Sequence, residues 1–235
     1  MGMVLFRDYW PRSALGATLM ITQSFLYNAI FFTYTLVLTK FYHVNANDAP
    51  VYLIAFCAGN LAGPLLIGRL FDTIGRKAMI AGTYILSGAL LAVTAYLFDQ
   101  GVLTALTQTI AWCVIFFLVS SGASAACLTV SEIFPPEVRA QAIAVFFANA
   151  QCFGALGPIL YGHLIGSGND PFKLFVGYLI GAGATIFGGI VEIVLGVAAE
   201  GKSLEDVAHP LWLVQTAAGS VSDLAQGHSS HRSAI

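Results

Sequence analysis

Six apolar stretches follow one another along this 235-residue chain, and they decide what it can fold into. They run roughly from Ala14 to Leu38, Pro50 to Ile67, Ala78 to Phe98, Val102 to Val130, Ala140 to Ile165 and Phe172 to Ala199. A helix needs about 20 residues to cross about 30 Å of hydrocarbon. Backbone groups inside lipid must satisfy one another, and these stretches lack the alternation of barrel strands, so each is read as a helix. The fold class is all-α, a polytopic membrane protein with six transmembrane helices. Composition agrees. Charged residues are 9% of the chain and hydrophobic ones 57%, whereas a soluble domain carries about a quarter charged residues. The lipid bilayer is therefore the first expected partner. Nothing suggests nucleic-acid binding, a phosphate loop, a cofactor or a metal site.

The chain divides into an N-terminal segment (1–13), a six-helix bundle (14–199) and a tail (200–235) that reads as mostly disordered, with Ser, His, Gly and Ala dominating from about Ala217. The N-terminus, MGMVLFRDYWPRS, lacks the pattern of a cleaved signal peptide, so the first span is expected to act as its own insertion signal. One side carries Arg7, Arg12, Arg69, Arg76, Lys77, Arg139, Lys202 and Arg232; the other carries Lys40 and Lys173. The positive-inside rule then places both termini in the cytoplasm of a multi-pass cell-membrane protein.

Short connections such as Asp99 to Gly101 predict that consecutive helices are antiparallel neighbours. Gly59 and Gly63 in span two, and Gly177, Gly181, Thr185, Gly188 and Glu192 along span six, predict close helix approach. Pro64 and Pro158 inside spans two and five predict kinks. Cys57, Cys113, Cys127 and Cys152 fall within spans and read as small apolar residues.

The loop after span two, GRLFDTIGRK from Gly68 to Lys77, holds one acid and three bases around two glycines. A positive turn explains Arg76 and Lys77 but not Asp72. The string resembles the major facilitator superfamily signature G-x-L-x-D-x-x-G-R-K/R, with Gly68, Leu70, Asp72, Gly75, Arg76 and Lys77 matching and Phe71 and Thr73 departing. SEIFPPEVRAQA, from Ser131 to Ala142, resembles the E-x-F-P-x-x-x-R loop of its sugar-porter branch through Glu132, Phe134, Pro135 and Arg139. EGKSLED, from Glu200 to Asp206, resembles that branch's post-terminal segment. In order, the three strings match the C-terminal six helices of a twelve-helix carrier.

The resemblance implies a transporter, not an enzyme, that moves a small polar metabolite such as a sugar or organic acid by alternating access. It places Gln23, Asn28 and Asn60 at a substrate site, where each amide can both donate and accept hydrogen bonds. Gln23 and Asn28 lie about 140° apart on an ideal helix, so a shared cavity requires a bent or unwound span. Asn149 falls one residue off the amide expected in the eleventh helix. The family's Gly-Pro-x-x-Trp element is replaced by SSGASAACLTV. Asp72, Arg76, Lys77, Glu132 and Arg139 would form a cytoplasmic gating network. Glu192, the only acid well inside a span, is either a proton-coupling site or a packing residue.

Because the resemblance covers one half of a carrier, activity would need a separate N-terminal half or a second copy of the chain. A truncated product or assembly subunit without transport is the competing reading. An intramembrane serine protease using Ser124 and His163 is a third.

Overall fold

The structure is a computed structural model that describes residues 10–166, 168 and 170–196. Expectations for the first residues and for the tail, including Arg7, EGKSLED and the two tail bases, lie outside the described residues. Six helices follow in order: α1 (Trp10–Phe41), α2 (Ala49–Thr73), α3 (Arg76–Asp99), α4 (Ala105–Glu132), α5 (Pro136–Ile165) and α6 (Pro171–Leu195). All six are long and apolar enough to cross a membrane.

The helices begin and end where backbone chemistry allows, which is not always where hydropathy changes. Both α1 and α2 run beyond their apolar stretches, and Asp72 consequently stands in the last turn of α2 instead of beyond it. Gly75 then turns the chain into α3 at φ 115°, a left-handed value that costs a side chain dearly and glycine little. At the start of α4, Thr104 and Thr107 form a reciprocal cap, with the Thr107 N–H donating to Thr104 Oγ1 at 3.2 Å and the Thr104 N–H to Thr107 Oγ1 at 2.8 Å. That cap sets the helix start after Val102 and Leu103. Thr104→Ala is expected to destabilise the chain by about 1 kcal/mol, read as a lower melting temperature in detergent.

Helix pairing departs from the expectation drawn from short loops. The closest partners are α1 with α5, α3 with α6, and α2 with α4, none of them consecutive. Small residues explain why. A Cβ at Gly59 or Gly63 of α2 would fall on Cys113 or on the Phe117 carbonyl of α4. On α5, Gly157 lies so close to α1 that a Cβ would sit 2.8 Å from the Phe25 carbonyl oxygen. Gly88 and Gly189 let α3 and α6 meet backbone to backbone, near Ala182 and Ala81 respectively. Close approach of this kind is what holds helices together where lipid removes the hydrophobic drive.

Exchanging the first three helices for the last three maps the main packing pairs of the bundle among themselves: α1–α5 onto α4–α2, α3–α4 onto α6–α1, and α3–α6 onto itself. Since α1 and α4 cross in opposite directions, the two triplets form an inverted repeat. The symmetry mates α2 and α5 are the least buried helices, and both contain an internal proline, Pro64 and Pro158. Each remains a single helix through it.

Two apolar cores stack along the bundle. One gathers Leu15, Leu19, Ile80 and Phe134 toward the face bearing the α2–α3 and α4–α5 loops, here called the basic face. The other gathers Tyr34, Phe56, Trp112 and Tyr178 toward the opposite face.

Candidate functional site

The two cores part near the middle of α1, and a cavity of about 300 Å³ opens there. Met20, Gln23, Ser24, Tyr27 and Asn28 of α1 line one wall. Their spacing of three and four residues makes one continuous stripe, and Gln23 and Asn28 form its two edges. Both amides therefore share the cavity although α1 is unbroken from Trp10 to Phe41. The bend expected from their angular separation is unnecessary, because the cavity wall is itself as wide as that angle.

The facing wall comes from Phe147, Ala150 and Gln151 of α5 and Cys127 of α4. Gln151 is a lining amide that the sequence analysis missed. Asn149 does not reach the cavity, and its Nδ2 donates to the Val145 carbonyl at 2.8 Å. Gly154 brings α5 against α1 here: a Cβ would lie 2.6 Å from Asn28 Nδ2 and against Ser24 Oγ. A second helix at close range turns the amide stripe of α1 into a pocket.

Within the pocket, Asn28 Nδ2 donates to the Ser24 carbonyl at 2.8 Å and to Ser24 Oγ at 3.1 Å. The Asn28 carbonyl oxygen is left to accept from a ligand. Gln23 and Gln151 make no hydrogen bond to another described residue. Asn60, the third expected amide, does not line the cavity. Its Nδ2 donates to Tyr27 Oη at 3.4 Å, so it stands behind Tyr27 and helps fix that ring. No lining side chain carries a formal charge.

At the basic face, three of the expected network residues come together. Arg76 at the start of α3 pairs with Asp72 at 3.3 Å and with Glu132 at the end of α4. The two pairs differ in environment: Asp72 is 68% exposed, while Arg76 and Glu132 are 16% and 25% exposed. The Asp72–Arg76 contact is local, whereas Arg76–Glu132 ties α3 to α4. Arg139 does not join them. Its guanidinium donates to the Phe134 carbonyl at 3.3 and 3.4 Å. Arg12, read in the sequence only as a mark of orientation, donates to the neighbouring Ile133 carbonyl at 2.6 Å. Two arginines thus hold the α4–α5 turn by its backbone. A smaller cavity of about 160 Å³ lies under the network, lined by Pro64, Phe71, Asp72, Arg76, Ser121 and Ser124 among others.

The remaining expectations are placed as follows. Ser124 donates to the Ser120 carbonyl at 2.9 Å and lines the cavity at the basic face, whereas His163 stands in the last turn of α5 at the opposite face. The structure does not bring that pair together. All four cysteines are free, but Cys57 and Cys152 are exposed on α2 and α5 rather than buried, and Cys127 borders the central cavity. Glu192 is closer to a helix end than expected, since α6 stops at Leu195. No group of three or more His, Cys, Asp or Glu could hold a metal among the described residues.

A family model described as Major Facilitator Superfamily matches residues 15–216 of the chain. Among curated proteins, nothing matches it.

Proposed function

The chain belongs to the major facilitator superfamily, a family of membrane transporters, and from that premise we propose that it forms a secondary carrier, or half of one, for a small neutral polar metabolite. The central cavity carries this reading. Its volume of about 300 Å³ suits a ligand of monosaccharide size, at the small end of ligand pockets. Three amides, the Ser24 hydroxyl and the Tyr27 hydroxyl offer both donors and acceptors, as a polyhydroxylated substrate requires. An organic acid would bring a charge that no lining residue balances, and an unbalanced charge is expensive to desolvate. A sugar-like solute is therefore favoured over an acid.

In this mechanism Gln23, Asn28 and Gln151 bind substrate, and Asn60 positions Tyr27. Substrate crosses as two halves rock about the cavity near the membrane midplane. Arg76, with Glu132 and Asp72, latches the basic face closed, and that face lies in the cytoplasm with both termini. The second half is a separate N-terminal six-helix unit or a second copy of this chain. The exposed faces of α2 and α5 are where such a unit would dock, and they equally favour an assembly subunit that does not transport by itself.

Uptake of a labelled panel of sugars, polyols and organic acids into vesicles tests the proposal, with this chain alone and with a co-expressed N-terminal half. Saturable uptake of a neutral polyol in either arm supports a carrier; no uptake in both favours the assembly subunit. Where uptake is seen, Gln151→Ala should raise KM about tenfold, the effect of losing about 1.4 kcal/mol of hydrogen bonding. Asn149→Ala should leave KM unchanged.

A further inference from the structure

Three polar groups toward the opposite face are buried without a hydrogen-bond partner among the described residues: Gln108 Nε2, Trp112 Nε1 and the Tyr178 hydroxyl. Gln108 and Trp112 are fully buried, and Tyr178 is 1% exposed. Buried tyrosines and tryptophans ordinarily place these groups on a partner, so three exceptions in one region call for a common cause.

The three residues belong to one closed circuit of contacts. Gln108 and Trp112 stand one turn apart on the same side of α4. The Trp112 ring meets that of Tyr178 on α6 edge to face, with 5.9 Å between centroids. Tyr178 meets Phe98 at 5.7 Å, and Phe98 meets Tyr42 at 6.2 Å. The circuit closes where the Tyr42 hydroxyl donates to Gln108 Oε1 at 3.1 Å. As helices, α4 and α6 hardly approach each other, each packing instead on α1 and α3. Side chains alone span the gap between them here.

The chemistry of the three groups limits what can satisfy them together. The two N–H groups only donate, whereas the Tyr178 hydroxyl donates or accepts. A halide would accept from all three, but it would bury a full charge in a circuit that holds no cation. A water accepts from the two N–H groups and donates to the hydroxyl, and about three bonds is what a buried water makes. A solute hydroxyl has the same capacity. Between the circuit and the central cavity, however, runs an unbroken series of ring contacts from Tyr27 through Phe31, Phe56 and Tyr34 to Trp112.

We propose that Gln108, Trp112 and Tyr178 form a binding site for one structural water, which bridges α4 to α6 near the opposite face. The water joins the first and last helices of the second triplet, which have almost no packing of their own to hold them together. Nothing in this site depends on the carrier reading.

The experiment is proton NMR of the full chain in lipid nanodiscs, isotope-labelled at the indole nitrogen, in buffer free of sugars and polyols. Trp10→Phe and Trp212→Phe leave Trp112 as the remaining tryptophan of the chain. Its indole proton should show a cross-peak to a long-lived water although the ring is wholly buried. Tyr178→Phe, which removes only the hydroxyl, should keep that cross-peak and lower the melting temperature by about 2–4 °C. Absence of the cross-peak while Tyr178 is in place overturns the proposal. Its loss in Tyr178→Phe also does, by assigning the signal to proton exchange through the hydroxyl. A higher melting temperature for Tyr178→Phe would mean that the hydroxyl had no partner to lose. A shift of the indole signal when chloride is replaced by gluconate would assign the site to a halide instead.

Discussion

Gly63→Ala is expected to lower the melting temperature of the chain in detergent sharply and to cut the yield of folded protein. The added methyl group would fall on the Phe117 carbonyl oxygen of α4 and within 2.7 Å of Ser121 Oγ. A side chain can rotate away, but a helix carbonyl moves only with its helix. The two helices must separate, and α2 has little else to hold it, since α4 is its main partner. Overpacking typically costs about 1–3 kcal/mol, and a backbone clash belongs at the upper end. Gly68→Ala is the control, because no atom lies within 4 Å of a Cβ there. Equal melting temperatures for the two variants would show that α2 and α4 are not in backbone contact.

The second large effect belongs to Arg76→Gln. Its loss leaves Glu132, only a quarter exposed, without its cation, and it releases α3 from α4 at the basic face. Removing one partner of a largely desolvated pair costs more than the pair contributes, because the remaining charge is stranded. The exposed Asp72–Arg76 contact, by contrast, is an i,i+4 pair of the kind that contributes about 0.3–0.5 kcal/mol. Asp72→Asn should therefore change little, and Arg76→Gln much. The readout is labelling of Ser124→Cys, which borders the small cavity beneath the network, in a chain whose four native cysteines are replaced by serine. Labelling from the basic face should rise several-fold with Arg76→Gln and hardly at all with Asp72→Asn. The reverse order would move the latch to Asp72.

Hydropathy made the helices legible, because lipid imposes a length and a polarity that no tertiary contact can override. Their ends were less so. Asp72 looked like a loop residue because it is charged, yet the helix continues through it until Gly75 supplies the left-handed turn. Thr104 and Thr107 fix the start of α4 by local hydrogen bonds that a hydropathy profile does not register. Pairing between distant helices was hidden for another reason. Gly63 announces that something packs closely, but only the folded chain shows that the partner is Phe117.

The cavity was half visible. Gln23 and Asn28 stand out as amides in an apolar span, and helical spacing alone would have shown that Met20, Gln23, Ser24, Tyr27 and Asn28 share one face. Gln151 carried no such signal, because its relevance depends on Gly154 bringing α5 against α1. The family resemblance puts Asn60 at the site, but its hydrogen bond to Tyr27 places it one layer behind the wall. In the charged network, Asp72, Arg76 and Glu132 are brought together as their positions at helix ends suggested. Arg139 and Arg12 instead serve the carbonyls of the turn, where an arginine's planar donors are as useful as its charge.

The inverted repeat described for the two helix triplets has an energetic consequence. Each triplet meets the other through the same kinds of pairing, with inside and outside exchanged. A tilt of the first triplet toward one face has a counterpart in which the second tilts toward the other. The packing energies of those two shapes differ only through the side chains that break the symmetry. The repeat thus relates two shapes of the same bundle and leaves the choice between them to those symmetry-breaking side chains, where a ligand that packs better against one shape shifts the balance toward it.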